Sequence, residues 1–245
     1  MALAGFGDRV EGLHAVAAAA AAGRVERLWV DRGRLGRIEY QAVVEDVLAS
    51  GGKTSEMDDL MSLAETTAPQ GLVARCLPRK DVSLNEMASG AGSAAVMVLD
   101  RVVDPHNVGA IARSVAAAGL SGLVLASRRA APLSAAAFKA AAGALETVPV
   151  SRVNSIAEAI SRLRRLGLWS VGLDQNAGQV LWGLPLLAEP VALVVGDEGT
   201  GLSRLVSDRI EVRVRIPITV SVESLNASVA AALAAFEVFR VRSSS

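Results

Sequence analysis

Three short stretches carry residue types that could do chemistry. In "NVGAIAR", Asn107, Gly109 and Arg113 follow an apolar run that reads as a buried strand. Apolar residues at 108, 111, 112, 115 and 116 take the one-face spacing of an amphipathic helix, with Asn107 as its cap. Arg113 lies two positions beyond Ile111, about 200° around the helix, and so points off the apolar stripe. Taken singly, this is a capped helix with a solvated Arg. The second stretch, "VVGDEGTGLS", sets Gly196, Gly199 and Gly201 directly after a strand. A glycine-rich turn at the C-terminal end of a parallel strand is where open α/β sheets bind ligands, because bare backbone can approach a small molecule closely. The alternative is an ordinary turn with Glu198 solvated. In the third, "IPITVSVESLNASVAAA", Ser224 fits as the N-cap of the last helix, leaving Asn226 in its first turn, where a short amide can face a ligand.

Other chemistries find no support. No G-x-S-x-G surrounds Ser224, and neither His14 nor His106 has a recognisable partner for nucleophilic catalysis. Neither GxxxxGK[ST] nor a GxGxxG following a strand is present. With one cysteine, Cys76, and two histidines there is no intrachain disulfide and no Cys/His metal set, so Cys76 reads as a buried structural thiol.

The elements that must position these residues follow from periodicity. The segment up to residue 77 reads as helix 10–22, strand 27–30, helix 38–48, a polar stretch and strand 72–77, a small α/β module. Residues 78–93 mix Pro, Gly, Ser and charge without an apolar period, the composition of a linker. From 94 to 245, short apolar runs (95–99, 123–126, 148–150, 168–173, 191–196, 211–218) alternate with helical patterns near 107, 135 and 156–166 and with a closing helix. This alternation implies a mostly parallel sheet covered by helices on both faces. Leu225, Val229, Leu233 and Phe236 share one face of the closing helix, either as core or as a pairing surface.

At 245 residues, 51% apolar, the chain suits one large domain or two small ones. The alanine run at 15–22 is too short and too weakly apolar for a membrane span or a signal peptide, so the cytoplasm is the expected compartment. Net charge is zero, which counts against a strongly nucleic-acid-binding surface. Residues 1–90 hold 10 Lys+Arg against 13 Asp+Glu, and residues 91–245 hold 15 against 12.

Taken in order, "DPHNVGAIARS", "VVGDEGTGLS" and "IPITVSVESLNASVA" resemble the three motifs of the TrmH (SpoU) branch of the SPOUT methyltransferases. "KAAAGALETVPV" is similar to the segment that family carries between its first two motifs. "VEGLHAVAAAAAAGRVERLWVDR" and "APQGLVARC" are similar to the substrate-binding module of its ribosomal-RNA members. The resemblance implies an α/β fold whose C-terminal segment threads a trefoil knot, a rare exception to un-knotted topology, preceded by an RNA-binding module over 1–77. It implies S-adenosylmethionine-dependent 2'-O-methylation of an RNA ribose, most like the ribosomal-RNA guanosine enzymes, by a homodimer. A transfer-RNA enzyme, or a knot-fold protein that binds RNA without turnover, is the alternative. By the motif match Gly196, Gly199, Ile216 and Leu225 would hold the cofactor, and Asn107, Arg113, Glu198, Ser224 and Asn226 would surround the reacting ribose. Three positions depart from the family's pattern: Val220 stands where Gly is usual, Ala142 where Ser is common, and Pro69 where His tends to precede Gln-Gly.

Overall fold

The computed structural model describes residues 5–89, 93–128, 130–219 and 223–243. In chain order the elements are β1 (Arg9–Glu11), α1 (Leu13–Ala21), β2 (Val25–Asp31), α2 (Ile38–Ala49), β3 (Lys53–Met57), β4 (Leu72–Cys76) and α3 (Leu84–Ala88). Then follow β5 (Ala95–Leu99), α4 (Pro105–Ala117), β6 (Gly122–Ala126), α5 (Ala135–Ala141), α6 (Ala144–Thr147), β7 (Val150–Val153), α7 (Ile156–Arg165) and β8 (Trp169–Leu173). The chain closes with β9 (Gln179–Val180), β10 (Val191–Val195), α8 (Arg204–Ser207), β11 (Val212–Arg215) and α9 (Ala227–Ser243).

Two compact units result, and they are not contiguous in sequence. One comprises Met1–Lys80, Val108–Arg113 and Pro132–Thr147; the other comprises Asp81–Asn107, Ser114–Ala131 and Val148–Ser245. The stretch expected to be a linker holds α3, closed by a capping box in which Ser83 and Glu86 satisfy each other's backbone N–H.

In the first unit a four-stranded sheet, ordered β1-β4-β2-β3, is antiparallel except for the β2–β3 pair. The helix expected from residue 10 starts at Leu13, because residues 9–11 pair with β4 and Gly12, at φ 88°, turns the chain from strand to helix. Helices α1 and α2 cover the face that buries Val10, Leu28, Val30, Leu72 and Ala74. Arg24 grips the Glu146 carboxylate through two bonds of 2.8 and 2.5 Å, with little of either side chain exposed. Cys76 is buried, and burial pushes its thiol up to about 12.

In the second unit the described residues form a seven-stranded, all-parallel sheet ordered β7-β6-β5-β10-β8-β11-β9. The neighbouring strands β5 and β10 are buried at every residue, as strands covered on both faces must be. One layer packs Ile156, Ile160 and Leu163 of α7 against Val96, Val98, Val124 and Val194. On α9, Ala227, Ala231, Ala234, Ala235 and Val238 face inward, whereas Val229, Leu233, Phe236 and Phe239 are exposed. Val229, Leu233 and Phe236 of the expected stripe are therefore not core within this chain, whereas Leu225 is half-buried.

Helix α4 is capped by the Asp104 side chain, which accepts the His106 N–H at 2.9 Å, with Pro105 at the first helical position. Asn107, expected as the cap, lies in the first turn instead. Gly109 is explained by packing: a Cβ there would lie 2.3 Å from the Ala137 carbonyl oxygen and 2.6 Å from the Ala140 Cβ. Only a bare backbone lets α4 come this close to α5. Gly109→Ala should therefore lower stability by about 1–3 kcal/mol through overpacking, despite alanine's better helix propensity. A melting temperature equal to or above wild type would show that the two helices can separate at no cost.

Candidate active site

Because the strands of the second unit are parallel, the segments leaving the C-terminal ends of β8, β10 and β11 gather at one edge of the sheet. They line a cleft of about 460 Å³ whose walls include Leu173 at the end of β8 with Asp174 and Asn176 beyond it, Val195 at the end of β10 with residues 196–202 beyond it, and Ile216 and Ile218 after β11. Ser224, Leu225, Ala227 and Ala230 complete it. All four residues expected to hold a cofactor, Gly196, Gly199, Ile216 and Leu225, lie on its lining.

The loop after β10 has a fixed shape. Asp197 and Gly201 exchange backbone hydrogen bonds of 3.2 and 2.9 Å, folding the loop onto itself. A Cβ on Gly196 would sit 2.3 Å from the Gly201 carbonyl, so that position admits only glycine, and Gly201 adopts φ 62°. The Asp197 carboxyl is lowered despite the opposing effect of burial, because Thr200 donates its N–H and hydroxyl, Gly199 donates its N–H, and Arg101 lies nearby. The buried Asp100 carboxylate accepts the Ser203 N–H at 2.6 Å. Arg101, held at φ 61° where a side chain is strained, donates to Thr200 Oγ1 and to the Gly201 carbonyl. The loop is thus held from the end of β5 as well as from within.

Beside the cleft, Glu198 ties three distant stretches together. Its Oε1 accepts from Asn107 Nδ2 at 2.7 Å, Asn226 Nδ2 at 2.6 Å and the Ala227 N–H at 3.3 Å. Asn226 Nδ2 also donates to Asn107 Oδ1 at 3.1 Å, while Asn226 Oδ1 accepts the Ser228 and Val229 N–H groups and the Ser228 hydroxyl. Asn226, not Ser224, is therefore the cap of α9. The carboxylate also faces the positive N-terminal ends of both α4 and α9. Glu198 Oε2 accepts no hydrogen bond among the described residues.

Of the residues expected around a reacting group, Asn107, Glu198 and Asn226 meet directly, and Ser224 is exposed on the cleft wall. Arg113 is exposed on α4, off its buried face, and makes no ion pair or side-chain hydrogen bond among the described residues. Sequence reasoning missed Leu173–Asn176, Asp197 and Ile218 on the cleft, and the Asp100–Arg101 anchor. Their only signal was position just after apolar runs. Val220 lies outside the described residues, and Ala142 is the left-handed C-cap of α5 at φ 48°. Among the described residues no three His, Cys, Asp or Glu side chains form a metal-binding group, and no helix is long and apolar enough to cross a membrane.

Residues 94–236 match the model of the SpoU rRNA methylase family, and residues 9–82 match that of the RNA 2'-O ribose methyltransferase substrate-binding domain. The chain belongs to the SpoU rRNA methylase family. A Staphylococcus haemolyticus protein named as a TrmH family tRNA/rRNA methyltransferase is 33% identical over 95% of this chain and 95% of its own length. A Synechocystis protein named as an uncharacterized tRNA/rRNA methyltransferase is 35% identical over 96% of this chain, which spans 63% of that protein. The crystal structure of the SpoU methyltransferase AviRb from Streptomyces viridochromogenes with AdoMet superposes with a TM-score of 0.79 at 27% identity, covering 96% of this chain and 90% of that one.

In this SpoU chain Asn226 does two jobs, capping α9 and donating to Glu198 and Asn107. Asn226→Ala should cost about 1–2 kcal/mol, the value of a lost N-cap, whereas Asn226→Asp should keep the cap yet set a carboxylate against Glu198. Thermal melts of both variants check this: a cap role alone leaves Asn226→Asp at the wild-type melting temperature, and that result would contradict the double role.

Proposed function

We propose that this chain methylates the 2'-oxygen of a ribose in RNA, with S-adenosylmethionine as cofactor and a guanosine of ribosomal RNA as the target. The observation that carries this reading is the hydrogen-bonded union of Asn107, Glu198 and Asn226 beside a cleft lined by Gly196, Gly199, Ile216 and Leu225. The cleft fits the cofactor in kind: its volume lies in the range of small-molecule sites, Gly196 leaves backbone bare, and Ile216, Ile218 and Leu225 offer apolar surface. The AdoMet held by the Streptomyces relative supports the same reading. With it goes the family's fold detail, a C-terminal segment threaded as a trefoil knot, and a division of labour in which residues 1–77 bind RNA and 94–245 carry the chemistry. The cytoplasm is the compartment in which such an RNA is met.

S-adenosylmethionine, when bound, supplies an electrophilic methyl group. The protein's task is then to hold the 2'-oxygen in line and ease the loss of its proton. Glu198, its Oε1 already taken by three donors, keeps Oε2 as an acceptor for a ribose hydroxyl. Asn107 and Asn226 fix the orientation of that carboxylate, and Ser224 adds a hydroxyl on the cleft wall. Arg113 grips the neighbouring phosphate and stabilises the developing alkoxide; a guanidinium gives up its proton too reluctantly to act as the base.

The working form is a homodimer, and the exposed Val229, Leu233, Phe236 and Phe239 of α9 supply its apolar surface. Light scattering should report twice the chain mass of 25.3 kDa, and a monomer at micromolar concentration would refute the dimer. Methyl transfer from labelled cofactor to ribosomal and transfer RNA tests the reaction. Arg113→Ala should lose orders of magnitude in turnover while keeping its melting temperature and its calorimetric affinity for S-adenosylhomocysteine. Arg113→Lys should rescue it poorly, because an ammonium lacks the planar fork. No heat with S-adenosylhomocysteine up to millimolar would sink the cofactor assignment, and transfer to tRNA alone would move the target.

A further inference from the structure

The sheet of the first unit carries a feature that packing does not explain. Its register sets Arg9 opposite Arg75, Arg75 opposite Arg27, and Arg27 opposite Lys53, so four cations stand in one row across all four strands on a single face. The next residues along, Val10, Ala74 and Leu28, turn to the other face and are fully buried. Like charges directly opposite one another weaken a sheet. A cation on an outermost strand guards against edge pairing, which accounts for Arg9 on β1 and Lys53 on β3. It does not account for Arg75 and Arg27, because β4 and β2 are the interior strands.

The row is barely neutralised from within. Arg9 is committed, donating to the Leu63 carbonyl at 2.6 Å with Glu65 at 3.9 Å. Arg75 has Glu26 at 3.4 Å, but both side chains are well exposed, at 60% and 45%, where an ion pair is weak. The Arg27 guanidinium lies 5.5 Å from the centre of the Trp29 ring, which steadies it without cancelling its charge. Among the described residues neither Arg27 nor Lys53 has a carboxylate within ion-pair distance. Arg27, Lys53 and Arg75 share the wall of a cleft of about 420 Å³ with the backbone of Gly51 and Gly52.

We propose that Arg27, Lys53 and Arg75 form the surface by which the N-terminal unit grips the phosphodiester backbone of the RNA substrate, an inference that rests on the RNA-methyltransferase reading above. Strands lie about 4.8 Å apart, so the three cations span roughly 10 Å, a fixed, evenly spaced row that suits a repeating polyanion. Such contacts position an RNA without reading its bases.

The test measures binding of the full-length chain to a ribosomal-RNA fragment and to a transfer RNA over a range of salt. It compares wild type, Arg27→Ala, Lys53→Ala, Arg75→Ala, the triple variant, and Arg165→Ala, which removes an exposed cation from α7. Each single change in the row should weaken both RNAs alike and flatten the log-affinity against log-salt slope by about 0.7, the triple variant by about 2. Arg165→Ala should leave the slope as it is. Melting temperatures should hold or rise, and S-adenosylhomocysteine affinity should not change. A triple variant with the affinity and slope of wild type overturns this proposal and leaves the methyltransferase reading standing, whereas a wild type that binds no RNA overturns both. A fall in melting temperature without a change of slope makes the row structural. Salt-dependent binding to anionic phospholipid vesicles in place of RNA assigns the face to a membrane, and also overturns the proposal.

Discussion

One carboxylate oxygen holds the candidate site together. Glu198 Oε1 takes N–H groups from the first turn of α4, from the amide that caps α9 and from the first residue of α9. Each donor belongs to a helix start, where backbone N–H groups lack partners and the helix dipole favours negative charge. The carboxylate thus satisfies local needs of two helices while fixing where they begin relative to the loop after β10. That loop cannot drift, because it is folded on itself at Asp197–Gly201 and anchored through Asp100 and Arg101. The edge of the cleft inherits its shape from these bonds.

Much of the fold was legible because burial leaves a plain trace in sequence. β5 and β10 read as unbroken apolar runs since both faces are covered, and α7 as a periodic helix since one face is. The failures have equally physical causes. β3 is a polar "KTSEM" strand at the edge of its sheet, with no apolar alternation to announce it. The caps were misplaced because Asp, Ser and Asn are near-equal acceptors; Pro105 was the cue that favoured Asp104 over Asn107. In α9 the bulky residues form the conspicuous stripe, yet alanines line the buried face, and their small side chains let the helix lie close against β10 and β5.

The site was legible in its parts and not in its assembly. Glycines after a strand announce a turn, but the 2.3 Å approach that makes Gly196 and Gly109 obligatory depends on where other backbone lies. Asn107, Glu198 and Asn226 were named through resemblance; nothing in their spacing says that one oxygen serves all three segments. The cation row in the N-terminal sheet was hidden for a similar reason. Arg9, Lys53 and Arg75 are scattered in an acidic segment, and only strand register lines them up with Arg27.

The pairing of β5 with β10 has a consequence for how the chain comes to be folded at all. One edge of residues 95–99 pairs with the nearby β6, but the other finds its partner only at 191–195, so nearly a hundred residues must leave the ribosome before the middle of the sheet can close. At roughly 5–20 residues per second that is a delay on the order of 5–20 s. Throughout it "AVMVL", apolar, uncharged and free of proline, is a nascent segment with an open edge. Parallel pairing over such separation is intrinsically slow. The interval favours early pairing with β6, which emerges next and covers one of the two edges of this strand.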